Sequence, residues 1–245
     1  MTSEYDAGGT RPARPSAART DDGRPWREVL TYARRGSRFT PSQQAAWDTH
    51  HRDWVIPDRA LDDPAISLTE WFGRSAPLIV EIGSGVGEAT AALAAARPDH
   101  DVLALEVWRP GVAASLALVA EQGATNVRFC SVDAVWALGH LVDPGGLAEL
   151  WTFFPDPWPK TKHHKRRLVA REFVALAADR LAPGGWWRLA TDWGGYADQM
   201  VAVLGAEPLL EGGVVPRWAD RPVTKFERKG VEAQRPIVDL AYRRR

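Results

Sequence analysis

One cysteine, Cys130, stands in 245 residues. Its isolation excludes an internal disulfide framework and a cysteine-based zinc cage, and it suits a reducing compartment. Neither sign of charge is in excess, since 31 Lys and Arg balance 31 Asp and Glu. A chain so balanced does not coat nucleic acid wholesale, so any polyanion it binds must meet a local patch. No apolar run approaches the ~20 residues that a membrane-spanning helix needs. The opening stretch MTSEYDAGGTRPARPSAARTDDGRP also lacks the apolar core of a secretory signal. These absences lead to the expectation of a cytoplasmic protein with no membrane association and no metal.

What is present is ordinary in bulk, with 45% hydrophobic and 25% charged residues. The length suits one large α/β domain with a sizeable core. Twelve tryptophans are many for this size; most are expected to pack in the core or its rim. Residues 1–25 have no hydrophobic periodicity and too little apolar surface to offset the entropy of ordering, and read as a disordered tail. Residues 26–76 carry scattered Trp and Leu, as in REVLTYARRGSRFTPSQQAAWDTH, and read as an N-terminal arm and prelude. The regular domain spans 77–245.

Within it, short apolar runs alternate with helical stretches. LIVEIG (78–83), DVLALEV (101–107), NVRFCSVD (126–133), LAELWTFF (147–154) and WWRLATD (186–192) read as buried parallel strands. Helices are predicted over 89–97, 112–121, 168–181 and 196–204, with stop signals at Pro98, Gly123 and the PGG of 183–185. Two further strands are expected near 206–215 and 235–243. The alternation predicts a Rossmann-like, doubly wound, mostly parallel seven-stranded sheet.

EIGSGVGEAT (81–90) runs from a strand through glycines into a helix. Gly83 suits a tight turn, Gly85 a close backbone approach to a ligand, and Gly87 a helix start. A dinucleotide fingerprint wants another glycine where this chain has Glu88. An acid at a helix N-terminus repels a pyrophosphate, so a cofactor without phosphate, such as S-adenosylmethionine, fits better. Glu106 closes the second strand, where a carboxylate can accept ribose hydroxyls. Asp133 follows the third strand and could accept an adenine amino group. Glu81 could take the cofactor's ammonium or orient the loop. Three carboxylates at successive strand ends argue against a turn that merely packs tightly.

The fourth strand ends in FFPDPWPKTKHHKRR (153–167). Pro155, Pro157 and Pro159 fix backbone torsions around Asp156 and Trp158. A rigid acid beside an aromatic can receive a flat base, the ring stacking while the carboxylate accepts edge N–H groups such as N1 and N2 of guanine. Behind it, Lys160, Lys162, Lys165, Arg166 and Arg167 form the local patch that zero net charge demanded, suited to phosphates.

Together these stretches resemble the bacterial tRNA (guanine-N7)-methyltransferases, a class I S-adenosylmethionine-dependent family. The resemblance rests on EIGSGVG, LEV with Glu106, Asp133, FFPDPWPKTKHHKRR, ATDWGGYA (190–197), RPVTKFERKG (221–230) and the arm RRGSRFTPSQQ (34–44). Thr161 and His164 stand where the family pattern leads one to expect Arg and Asn. The resemblance implies methyl transfer to N7 of the variable-loop guanine of tRNA, position 46 by convention. It implies that Glu81, Glu106, Asp133 and Asp156 contact the cofactor or reacting centre, and that Lys160, Asp192, Thr224, Lys225, Phe226 and Glu227 contact the guanosine. The partner is tRNA, with no obligatory protein partner, and the chain is a monomer or homodimer.

Neutral guanine already carries a lone pair on N7, so methylation there needs alignment and charge stabilisation rather than a general base. Asp156 is the expected catalytic group, either binding the Watson–Crick edge or steadying the positive charge. Asp192, ending the fifth strand on the same edge, is a second candidate. Two other readings use the same residues: a small-molecule methyltransferase, or a non-catalytic RNA-binding module.

Overall fold

The computed structural model describes residues 31–32, 36–61, 63 and 65–245. The expected tail of residues 1–25, and Trp26, Arg34 and Arg35 of the arm, lie outside these.

The prelude forms α1 (Pro41–Trp54), α2 (Asp58–Leu61) and α3 (Leu68–Phe72). The first of these starts on a capping box: the Thr40 hydroxyl accepts from the Gln43 N–H, and the Gln43 side chain accepts from the Thr40 N–H. None of its residues is fully buried, and it lies along the outside of the domain. Just past its end, the Ile56 N–H donates to the Phe129 carbonyl at 2.9 Å, which ties the prelude to the sheet edge.

Beyond the prelude the chain alternates as its pattern predicts. β1 (Leu78–Ile82), α4 (Glu88–Ala95), β2 (Asp101–Leu105), α5 (Arg109–Gln122) and β3 (Val127–Cys130) come first. They are followed by α6 (Ala134–Leu141), β4 (Leu147–Phe153), a 3-10 segment (Thr161–Arg166), α7 (Arg171–Arg180) and β5 (Leu181–Thr191). The chain ends through α8 (Gly194–Gly205), β6 (Leu210–Val215), α9 (Lys225–Glu232) and β7 (Val238–Arg244). The seven strands make one sheet in the order β3-β2-β1-β4-β5-β7-β6. The first five pair in parallel, and β7 runs antiparallel to both β5 and β6.

Each sheet face carries its own core. On one side Leu93, Val112 and Leu116 of α4 and α5 pack on Ile79, Val102 and Val127. On the other, Trp136, Phe173 and Met200 of α6, α7 and α8 pack on Val80, Leu103 and Leu189. Burial on both faces explains why the central strands read as mostly apolar runs rather than as alternating ones. Among the described residues, no helix is long and apolar enough to cross a membrane.

Three stretches differ from the expected elements. The PGG of 183–185 does not end a helix but lies inside β5, where the register against β4 shifts and Gly184 takes φ 80°. A bulge and a helix stop use the same residues. α7 starts at Arg171 rather than 168, because both backbone groups of Val169 are engaged by α8: its N–H by the Tyr196 hydroxyl and its carbonyl by Gln199, each at 2.9 Å. Finally, TKFE opens a helix that was not among those expected. Thr224 caps α9 by accepting from the Glu227 N–H at 3.4 Å, and the other three residues form the first turn.

Candidate active site

The order of strands reverses at β1, which lies between β2 and β4. A crevice opens outside the carboxyl ends of strands at such a switch point. Here it is a cleft enclosing about 850 Å³, part of it open to solvent, lined from four successive strand ends. Gly83 and Gly85 follow β1, Glu106 and Trp108 follow β2, Val132 and Ala134 follow β3, and Phe154 to Asp156 follow β4. The Phe226 ring and Thr31 and Tyr32 of the arm complete the wall. Behind Phe226 lies a smaller compartment of about 320 Å³, lined by Glu81, Ser84, Glu88 and Thr224 among others.

The glycine loop meets its expected geometry. Gly83, Gly85 and Gly87 all have positive φ, at 76°, 61° and 84°. At Gly87 a Cβ would also stand 2.5 Å from Ser115, so only glycine lets α4 start against α5. A comparable approach went unnoticed in the sequence. At Gly111 a Cβ would stand 2.3 Å from the Gly85 carbonyl, so α5 abuts the loop there.

Each carboxylate has a definite environment. Glu106 accepts from the Gly85 N–H at 2.8 Å and the Trp108 N–H at 2.7 Å, so it braces the loop while facing the cleft. Asp133 caps α6, its Oδ1 accepting from the Val135 and Trp136 N–H groups at 3.0 and 3.2 Å, between the cleft residues Val132 and Ala134. That helix was absent from the expectations, although Asp followed by AVWAL is a capping signal. Glu81 is 3% exposed and accepts from the Thr90 hydroxyl at 2.5 Å. Burial pushes its carboxyl up to about 7; the Thr90 hydrogen bond opposes this and the nearby Glu106 charge adds to it.

Asp156 lines the main cleft, in a loop built under strain. Phe154 and Trp158 on either side take φ 52° and 44°, a region that non-glycine residues occupy at a cost of order 1–3 kcal/mol each. Arg167 secures this loop, and the expectation that it meets RNA phosphate is corrected here. It is 4% exposed, donates to the Pro157 and Gly195 carbonyls and to Gln199, and lies over the Tyr196 ring. Lys160, Lys162 and Lys165 are exposed, as a phosphate contact requires. Arg166 stacks 4.8 Å over Trp158. His163 meets the same indole edge-on at 5.7 Å, and the indole N–H donates to the Thr31 carbonyl. Trp158 is therefore not the stacking platform it was expected to be; the aromatic side chains on the cleft wall are Tyr32, Trp108, Phe153, Phe154 and Phe226.

The guanosine candidates separate into two groups. Phe226 lines both compartments, and Thr224 lines the smaller one. Asp192 instead pairs with Arg235 at 2.7 Å and is not on either wall. Lys225 reaches Glu88 through its backbone N–H. Glu227, expected to bind a substrate polar group, is 4% exposed and bound by Arg217 at 2.8 Å and Arg221 at 2.7 Å. Burial alone would raise its carboxyl, but those two guanidinium groups overcome it and hold it below the ordinary carboxylate range. Arg221 also pairs with Asp239 at 2.9 Å, is 1% exposed, and lies 5.3 Å from the Phe154 ring centre. It opens the RPVTKFERKG stretch, but no role was read for it in the sequence.

A family described as "Putative methyltransferase" matches residues 75–240. The chain is 67% identical over 242 residues to the tRNA (guanine-N(7)-)-methyltransferase of Nocardioides sp., covering 99% of this chain and 98% of that one. It is 47% identical to the protein of the same description from Cutibacterium acnes, covering 89% and 84% of the two chains. Among solved structures, the 16S rRNA methyltransferase KamB aligns over 88% of this chain and 98% of its own, with a TM-score of 0.50 and 15% identity, a likeness of fold. On these similarities and the residues gathered in the cleft, the chain belongs to the tRNA (guanine-N(7)-)-methyltransferase family.

Proposed function

We propose that the protein transfers a methyl group from S-adenosylmethionine to N7 of the variable-loop guanine of tRNA, position 46 by convention. The observation that carries this reading is the joining of Gly83, Gly85, Glu106, Asp156 and Phe226 on one wall, with a run of exposed lysines directly behind Asp156.

The residues fit the cofactor. Gly83 faces open space at the position of a side chain, so the loop leaves room for a ligand. The Ser84 hydroxyl is buried with no hydrogen-bond partner among the described residues, a donor and acceptor waiting in the smaller compartment. Glu106, which faces the cleft with each carboxylate oxygen fixed by a backbone N–H, is of the right chemistry to accept ribose hydroxyls. When bound, S-adenosylmethionine supplies an electrophilic methyl on a sulfonium. Glu81, Glu106 and Asp133 would hold it.

The protein's own task is placement. N7 of neutral guanine attacks through an existing lone pair, so no side chain has to remove a proton first. Asp156, in the strained loop that Arg167 ties down at the Pro157 carbonyl, would bind the Watson–Crick edge or steady the positive charge that develops on the purine. Thr224 and Phe226 would bracket the base, while Lys160, Lys162 and Lys165 bind the flanking phosphates.

The test is transfer of labelled methyl to tRNA transcripts. Label should appear on N7 of guanine in the wild-type transcript and vanish when that guanine becomes adenine. Asp156→Ala should lower kcat about a hundredfold with an unchanged unfolding midpoint. Full activity in that variant would remove Asp156 from the centre of this reading.

A further inference from the structure

Glu88 was first notable as the acid that argues against a pyrophosphate. Its partners give it a second meaning. It begins α4, directly after the glycine loop, and its two carboxylate oxygens reach residues about 140 positions later in the chain. One accepts from the Lys225 N–H, and the other accepts from Arg228 at 2.6 Å. The Lys225 N–H is among the first N–H groups of α9, which have no partner within their own helix. A carboxylate from α4 therefore completes the cap that Thr224 begins. Between Lys225 and Arg228 stands Phe226, whose ring edge is 3.5 Å from the side-chain position of Gly85. That ring is the wall shared by the cleft and the smaller compartment.

Two ties thus fix the first turn of α9. Glu227, from below, is locked in the buried cluster with Arg217 and Arg221. Glu88 ties it from the side of the cofactor loop, and this tie is solvent-accessible: Arg228 is 49% and Glu88 30% exposed. The buried tie fixes where α9 starts. The exposed one sets how closely Phe226 lies against the glycine loop.

We propose that Glu88 is a positioning residue that holds the Phe226 ring against Gly85 through Lys225 and Arg228. Retention of the cofactor and presentation of the base are then set by one contact between α4 and α9. This rests on the proposed function for its second half only, since retention can be read without RNA.

The experiment compares Glu88→Ala, Glu88→Gln, Arg228→Ala, Phe226→Ala and the Glu88→Ala/Phe226→Ala double variant of the full chain. Binding of S-adenosylhomocysteine to RNA-free protein is measured by calorimetry, and kcat and KM are measured for tRNA methylation. Glu88→Ala and Phe226→Ala should each weaken binding about five- to tenfold and lower kcat by a similar factor. The double variant should be no weaker than Phe226→Ala alone, because the tie acts only through that ring. Glu88→Gln should recover part of the loss, as its amide oxygen still accepts from the Lys225 N–H. The unfolding midpoint of Glu88→Ala should stay within about 2 °C, which separates positioning from general destabilisation. Additive losses in the double variant would overturn the proposal, as would wild-type binding and kcat in Glu88→Ala. So would an Arg228→Ala variant that changes only the KM for tRNA, which would make Arg228 a phosphate contact. Non-additive binding with no methyl reaching tRNA would support the tie and defeat the functional reading instead.

Discussion

Among single residues, Glu81 carries the most testable physics. Its carboxyl is buried, and the hydroxyl of Thr90 is too weak a partner to keep it ionised at its ordinary value. Folding therefore raises its pKa from 4.5 to about 7. Between those values the folded chain holds a proton that the unfolded chain has lost, so this residue favours the fold most at acidic pH and loses that contribution as pH rises through 7. At ~1.4 kcal/mol per pH unit the difference amounts to about 3 kcal/mol. Glu81→Gln removes the dependence. Denaturant unfolding at pH 5 and pH 8 should find the variant gaining about 2–3 kcal/mol relative to wild type at the higher pH. A gap that does not change with pH would place the proton elsewhere.

Elements divide into those whose fate is local and those decided by distant partners. β1 to β4 were legible because strands buried on both faces are mostly apolar rather than alternating, and LIVEIG and LAELWTFF, each with a single acid, keep that pattern. The glycine loop was legible because its backbone needs positive φ, which the residue type announces. α9 was not. KFERKGVE is polar, and its first turn depends on Arg217 and Arg221 before it and on Glu88, far away in sequence. Arg167 misled for the same reason: within a cationic run, nothing local distinguishes the arginine that turns inward to the Pro157 carbonyl from the lysines that stay in solvent. The buried cluster that positions α9 gives the corresponding prediction. Removing one partner leaves uncompensated charge in a dry site. Arg221→Ala takes the guanidinium away from Asp239 and leaves Glu227 with Arg217 alone, and should cost about 3–5 kcal/mol in urea unfolding. A loss below about 1 kcal/mol would mean that water reaches those carboxylates and that α9 is held by other contacts.

Over the whole molecule, attraction to RNA has to come from where charge lies, since the totals cancel. The exposed members of the cationic run, Lys160, Lys162 and Lys165, sit on and beside a short 3-10 segment that follows the Asp156 loop without a break. Arg167 closes the same run but is folded inward, where it holds the Asp156 loop to α8. The two kinds of cation should separate in a salt titration. Each phosphate neutralised contributes ~0.7–0.9 to the slope of log affinity against log salt. Replacing the three lysines with alanine should lower that slope by about 2 for tRNA while leaving the unfolding midpoint in place. Arg167→Ala should do the reverse: it leaves the slope unchanged within about 0.5, lowers the midpoint, and lowers kcat because Asp156 loses its brace. If the lysine variant kept the wild-type slope, the tRNA would approach over another face, and the cleft would have to take its guanine from a strand that does not pass this segment.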